Sequence, residues 1–167
     1  MRIFREEAQK QPAFRKLMQA IELKQTPANL IGLSGIHKAH YITAAAELSN
    51  KKVLVITEDE STARRMCEDI NALYRNPLEN KKSDITADFA AVYPIRDIFF
   101  HGIEGASGEY QQQRISVLSR LNENKLSVVL APYEACLQYT IPQKELTERS
   151  FTIQSGESYS IENLTER

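Results

Sequence analysis

The sequence predicts an α/β fold, a parallel sheet flanked by helices on both faces, and three observations predict it. Four short apolar runs, "NLIGL", "VLVI", "FAAVYP" and "LSVVLAP", recur along the chain. Each is continuous and lacks an in/out alternation, the pattern of a strand covered on both faces. Segments with helical apolar spacing follow them, and alternating strands and helices favour parallel pairing through crossovers. With 167 residues and 42% hydrophobic content, the chain fits one domain, at about 100–200 residues per domain.

Taken in order, "AFRKLMQAIEL" (residues 13–23) sets Phe14, Leu17, Met18, Ile21 and Leu23 near helical spacing, and Pro27 breaks the pattern. "NLIGL" is the first strand, and "HKAHYITAAAEL" the helix after it. "KKVLVITEDE" carries the second strand, with Thr57 or Asp59 as a helix cap. In the following "STARRMCEDINALY", Ala63, Met66, Cys67, Ile70, Leu73 and Tyr74 share a face. Residues 75–88 are polar and aperiodic and form a surface connection. "FAAVYP" is the third strand, stopped by Pro94, and "IRDIFFHGIEGASGEY" a glycine-dotted loop. Helical character resumes in "SGEYQQQRISVLSRLNEN", through Tyr110, Ile115, Leu118 and Leu121. "LSVVLAP" is the fourth strand and "YEACLQY" a short helix. The tail offers one more strand from Phe151 to Ile153, a turn at Ser155 and Gly156, and a helix that opens at Ser160 and has barely one turn before Arg167. Such a short helix suggests a piece of something longer. The expected division is therefore residues 1–150 as the α/β domain and 151–167 as the truncated start of a small domain.

Charge and cysteine usage narrow the function classes. Lys and Arg total 21 against 22 acids, a net charge of -1, so no strong overall field invites nucleic acid or anionic lipid. Cys67 and Cys136 stand outside any metal or redox spacing, which suggests reduced thiols. The first residues carry charges throughout and show no signal-peptide core, and no run approaches the roughly 20 apolar residues of a membrane span. A soluble, cytoplasmic protein without membrane contact is expected.

One stretch, "GLSGIHKA", invites comparison with the phosphate-binding pattern G-x-x-x-x-G-K-[ST] between a strand and a helix. Gly32 opens it correctly, Ser34 and Gly35 lie in the loop, and Lys38 offers a charge to phosphate. The sixth position needs glycine so that the backbone can curl around phosphate oxygens, and His37 stands there. The eighth needs a hydroxyl to hold magnesium, and Ala39 has none. A degenerate loop and an ordinary strand-turn-helix both fit these residues, and no functional cofactor site is expected in either case.

Other candidates are read blandly. Glu58, Asp59 and Glu60 are capping and solvated charge; His37 and His40 share a helix turn but have no third ligand placed by sequence; His101 is alone in its loop. Phe99 and Phe100 read as packing residues, Arg114 and Arg120 as a solvated or salt-bridged helix face. No G-x-S-x-G, no G-x-G-x-x-G and no paired-carboxylate signature is present, so no catalytic residue and no metal site is assigned.

Four stretches together carry a family resemblance: "GLSGIHKAHYITAAAEL", "KKVLVITEDESTARRMCEDINAL", "VYPIRDIFFHGIEGASGEYQQQRISVLSRL" and "SVVLAPYEACLQ". The chain resembles the amino-terminal region of bacterial transcription-repair coupling factors (Mfd), a region itself similar to domain 1a of the excision-repair subunit UvrB. The third stretch, with "RDIFF" and then "E-Y-x-x-x-R", is the most specific, and the likeness runs from about residue 10 to the end.

The resemblance implies a helicase-like P-loop NTPase domain whose nucleotide machinery has decayed and which holds no cofactor of its own, while a motor elsewhere in the parent, an ATP-dependent DNA translocase, uses ATP and magnesium. It further implies a role in removing RNA polymerase stalled at DNA damage and recruiting UvrA. UvrA would be met through the following domain, other domains of the parent chain directly, and RNA polymerase and DNA only through the parent. The family's UvrA-contacting arginines match nothing here, so no contact residue is carried over. Two other readings stand beside this one. The chain could be an enzyme fragment that still binds ATP through Lys38 and the loop amides, or a small-ligand α/β domain unrelated to repair, binding at the carboxyl ends of its strands.

Overall fold

The computed structural model describes residues 2–75, 88–96 and 108–151, and Gly156 alone beyond them. Its elements are α1 (Arg2–Lys10), α2 (Pro12–Glu22), α3 (Gly35–Ser49), β1 (Val53–Thr57), α4 (Glu60–Tyr74), β2 (Ala90–Val92), α5 (Glu109–Asn122), β3 (Val128–Pro132), α6 (Tyr133–Leu137) and α7 (Gln143–Glu148). The three strands form a parallel sheet in the order β1-β3-β2, with Val53 and Ala90 both in register with Val128. β3 is the strand its sequence describes, buried at every position.

Two apolar layers sandwich the sheet. On one side Ala39 and Ala46 of α3 and Ala63, Cys67 and Ile70 of α4 pack with Ala90, Val128 and Leu130. Small side chains at Ala39, Ala46 and Ala63 let α3 and α4 lie close, so the alanine run places a helix here. On the other side Val117 of α5 and Ala135 of α6 pack with Ala91, Tyr93, Val129 and Ala131.

A third layer explains why α3 is apolar around most of its circumference. Its outer face, Tyr41, Ala44 and Ala45, packs against Ala8 of α1 and Phe14 of α2. Phe14 is fully buried and meets Tyr41 edge to face, ring centres 5.1 Å apart. Burial on this scale stabilises by about 2–3 kcal/mol per large side chain. α4 starts where expected: Asp59 caps it by accepting from the Thr62 N–H at 2.7 Å, which holds the Asp59 carboxyl below its ordinary range.

The structure corrects several expectations. "NLIGL" forms no strand: residues 25–31 are irregular, Ile31 is 93% exposed, and Gly32 takes φ +83°. No neighbouring backbone pairs with this run among the described residues, so the sheet as described has three strands, not four. Cover on both faces is also incomplete. α5 lies over β2 and β3, and Leu54 and Ile56 of β1 remain 59% and 60% exposed. In α5 the inward stripe holds Arg114 and Val117, and Ile115, expected inside, is exposed. Helices α1 and α7 were not anticipated. The connection at 76–87, the loop at 97–107, the expected strand at 152–153, the helix at Ser160 and so the small-domain boundary lie outside the described residues.

Candidate functional site

Residues 50–52 join α3 directly to β1, with Asn50 in a left-handed conformation closing the helix. Helical geometry begins at Gly35, and Ser34 is the N-cap in an extended conformation. The first helical hydrogen bond runs from Lys38 N–H to the Ser34 carbonyl, 2.9 Å. Ser34 Oγ and His37 Nδ1 lie 2.9 Å apart, so the imidazole closes the cap from the third helical position. The second half of the segment that would have to arch around phosphate, from Gly35 onward, is wound into helix instead.

Each sequence candidate can now be placed. Gly32 turns with φ +83°, Lys38 is exposed, and Ala39 is fully buried among α3, α4 and the sheet. Ala39 Cβ therefore points into the core, away from anything the loop could hold. The acidic run after β1 is spent on α4: Asp59 caps it, and Glu60 pairs with Arg64 at 2.5 Å. His40 sits beside Tyr41, rings 6.3 Å apart. Phe99, Phe100 and His101 lie outside the described residues. Among the described residues no three His, Cys, Asp or Glu side chains group closely enough for a metal ion, and no helix is long and apolar enough to cross a membrane.

Arg114 is not a solvated residue. It is 5% exposed, donates through Nη1 to the Pro94 carbonyl at 2.8 Å and Gln138 Oε1 at 3.2 Å, and through Nη2 to the Tyr139 carbonyl at 3.2 Å. A guanidinium fork supplies donors in several fixed directions, so this one side chain ties the turn after β2 to the turn after α6. Arg120 does pair, with Asp88 at 3.7 Å. Cys67 and Cys136 are both free thiols; burial, reinforced by Asp88 and Glu68, pushes the Cys67 thiol up to about 11.

Sequence reasoning missed the edge of β2. This strand lies at one side of the sheet, with α4 on one face and α5 on the other. A groove of about 610 Å³ opens where the two helices overhang that edge, lined by Glu68 and Asn71 of α4, Glu109, Gln112 and Ser116 of α5, and the strand itself. Asn71 fills part of the ladder: its Oδ1 accepts from the N–H groups of Phe89 and Ala90 at 3.0 and 2.9 Å, and its Nδ2 donates to the Ala90 carbonyl at 3.0 Å. A side-chain amide thus stands where a neighbouring strand's peptide would. Nothing local in "CEDINALY" signals this, because the partner backbone arrives from beyond a polar connection.

No family model matches the chain, and no solved structure matches it. Among characterised proteins it is similar to the transcription-repair-coupling factor of Bacillus subtilis (strain 168), 27% identical over 138 residues. That match takes in 83% of this chain and 11% of the relative, so the chain spans a small part of that protein's length. The likeness to transcription-repair coupling factors read from the sequence is thus met again in this comparison, and the chain is similar to a part of the Bacillus subtilis transcription-repair-coupling factor.

Proposed function

We propose that this chain is a non-catalytic module of a transcription-repair coupling factor, a scaffold that helps bring UvrA to RNA polymerase stalled at DNA damage. The similarity to the Bacillus subtilis coupling factor supports the repair context. One observation carries the non-catalytic reading: Ala39, where a magnesium-holding hydroxyl would have to stand, is fully buried in the core. His37, the other departure from the phosphate-loop pattern, is engaged with Ser34. The loop is a relic used as a helix start, and ATP and magnesium belong to the parent's motor.

Calorimetric titration of the chain with magnesium-ATP and magnesium-ADP tests this, beside a Lys38→Ala variant. No saturable heat up to millimolar nucleotide is the expected result. Saturable binding lost in Lys38→Ala overturns the reading in favour of a retained nucleotide site. The recruitment half is tested by UvrA capture on the parent coupling factor with and without residues 1–150, where equal capture would refute it.

A further inference from the structure

We propose that the groove between α4 and α5 takes an extended polypeptide segment carrying two adjacent basic residues, added as a further strand beside β2. The backbone geometry sets the direction. Consecutive residues of a strand send their N–H and C=O groups to opposite sides, so Ala90 and Val92 share one side and Ala91 and Tyr93 the other. The Tyr93 N–H bonds to the Leu130 carbonyl at 2.7 Å, which fixes the odd positions as those facing β3. Ala90 and Val92 therefore face the groove. Asn71 occupies both groups of Ala90. Val92 presents an N–H and a C=O to the groove with no partner among the described residues, and Pro94 ends the edge beyond it. An unpaired strand edge is a template for another chain's backbone.

Charge on the two walls selects the occupant. Two arginines also line the groove: Arg64, paired with Glu60, and Arg120, which shares Asp88 with Arg75. Glu68 on the α4 wall and Glu109 on the α5 wall have no ion-pair partner among the described residues, where Glu109 accepts one hydrogen bond, from Gln113 at 3.4 Å. Side chains of an added strand alternate between the two faces. One basic residue would then lean toward Glu68 and the next toward Glu109, which a single basic residue or an acidic segment cannot do. Gln112 and Ser116 supply neutral hydrogen-bonding groups along the α5 wall.

The test uses the full chain, ¹⁵N-labelled, and the peptide acetyl-Val-Lys-Lys-Val-amide. Saturable movement of the Val92 amide resonance and at least tenfold slower exchange of that proton are expected. The Glu68→Gln, Glu109→Gln double variant, whose exposed positions leave the fold intact, should bind at least fivefold more weakly. A peptide N-methylated at its central amide should not bind. Equal binding of acetyl-Val-Glu-Glu-Val-amide, no response at millimolar peptide, or a Val92 amide already protected in the free chain, which would mean that its own polypeptide covers the edge, each overturns the proposal.

Discussion

Arg114 holds its guanidinium 4.0 Å from the centre of the Tyr93 ring while donating to the carbonyl of Pro94, the next residue along. A buried cation is tolerable only when its donors are used and its charge is met, and here two backbone carbonyls, Gln138 and an aromatic face do both. Tyr93 in turn joins Thr140 through its hydroxyl at 2.9 Å. Arg114→Ala should cost about 3 kcal/mol in urea unfolding, from charged hydrogen bonds and the ring contact together. Arg114→Lys keeps the charge and loses the fork, so it should recover less than half of that loss.

Asn71→Ala strips three backbone groups of partners at once and should destabilise by about 2–3 kcal/mol. It also lengthens the open edge of β2, so light scattering should show more self-association than in the parent chain. A destabilised but strictly unassociated variant would deny Asn71 its role as an edge plug.

Cys67 governs the alkaline limb. Its thiol ionises near 9.0 when unfolded and at about 11 when folded. Above pH 9 the unfolded state binds fewer protons than the native state, so unfolding free energy falls as pH rises, until both states have ionised near 11. At 1.36 kcal/mol per pKa unit the loss approaches about 2–3 kcal/mol. Cys67→Ala should flatten this limb in denaturant titrations between pH 8 and 11. Iodoacetamide at pH 8 should modify exposed Cys136 readily and Cys67 only on unfolding.

Ala39→Ser restores the hydroxyl that a phosphate loop requires, yet the side chain points into the core. The added oxygen can bond back to the carbonyl four residues earlier, as Thr43 does to Ala39 at 2.7 Å. We expect a cost of about 1 kcal/mol and no magnesium-ATP heat in calorimetry. Nucleotide binding gained by this one substitution would show that the loop needs only its missing ligand.

The fold was legible where apolar pattern and burial coincide. β3 reads as a continuous hydrophobic run because it is the central strand, and α4 announced its buried face at Ala63, Cys67 and Ile70 and a cap at Thr57 or Asp59, which the structure gives to Asp59. "NLIGL" misled because an apolar run carries no information about whether a neighbouring backbone will pair with it. Arg114 misled because polarity at a helix position predicts exposure unless carbonyls converge on it, and those carbonyls come from turns at Pro94 and Tyr139. At the candidate site the departures at His37 and Ala39 were plain in the sequence. That Ala39 faces the core was not, since that follows from α3 lying against α4 and the sheet.

The strand order has a consequence for how the chain comes to be folded. β3, the last in sequence of the described strands, is the one to which β1 and β2 both attach. Neither earlier strand has the other as a neighbour, so both described ladders wait on residues 128–132 as the polypeptide emerges. Sheet formation is thus a late and non-local event, with slow loop closure ahead of any reward. Helices α1 and α2, packed on α3, can assemble well before it. A nascent chain halted before Leu126 would carry an organised helical cap above two apolar strands that have nothing to join.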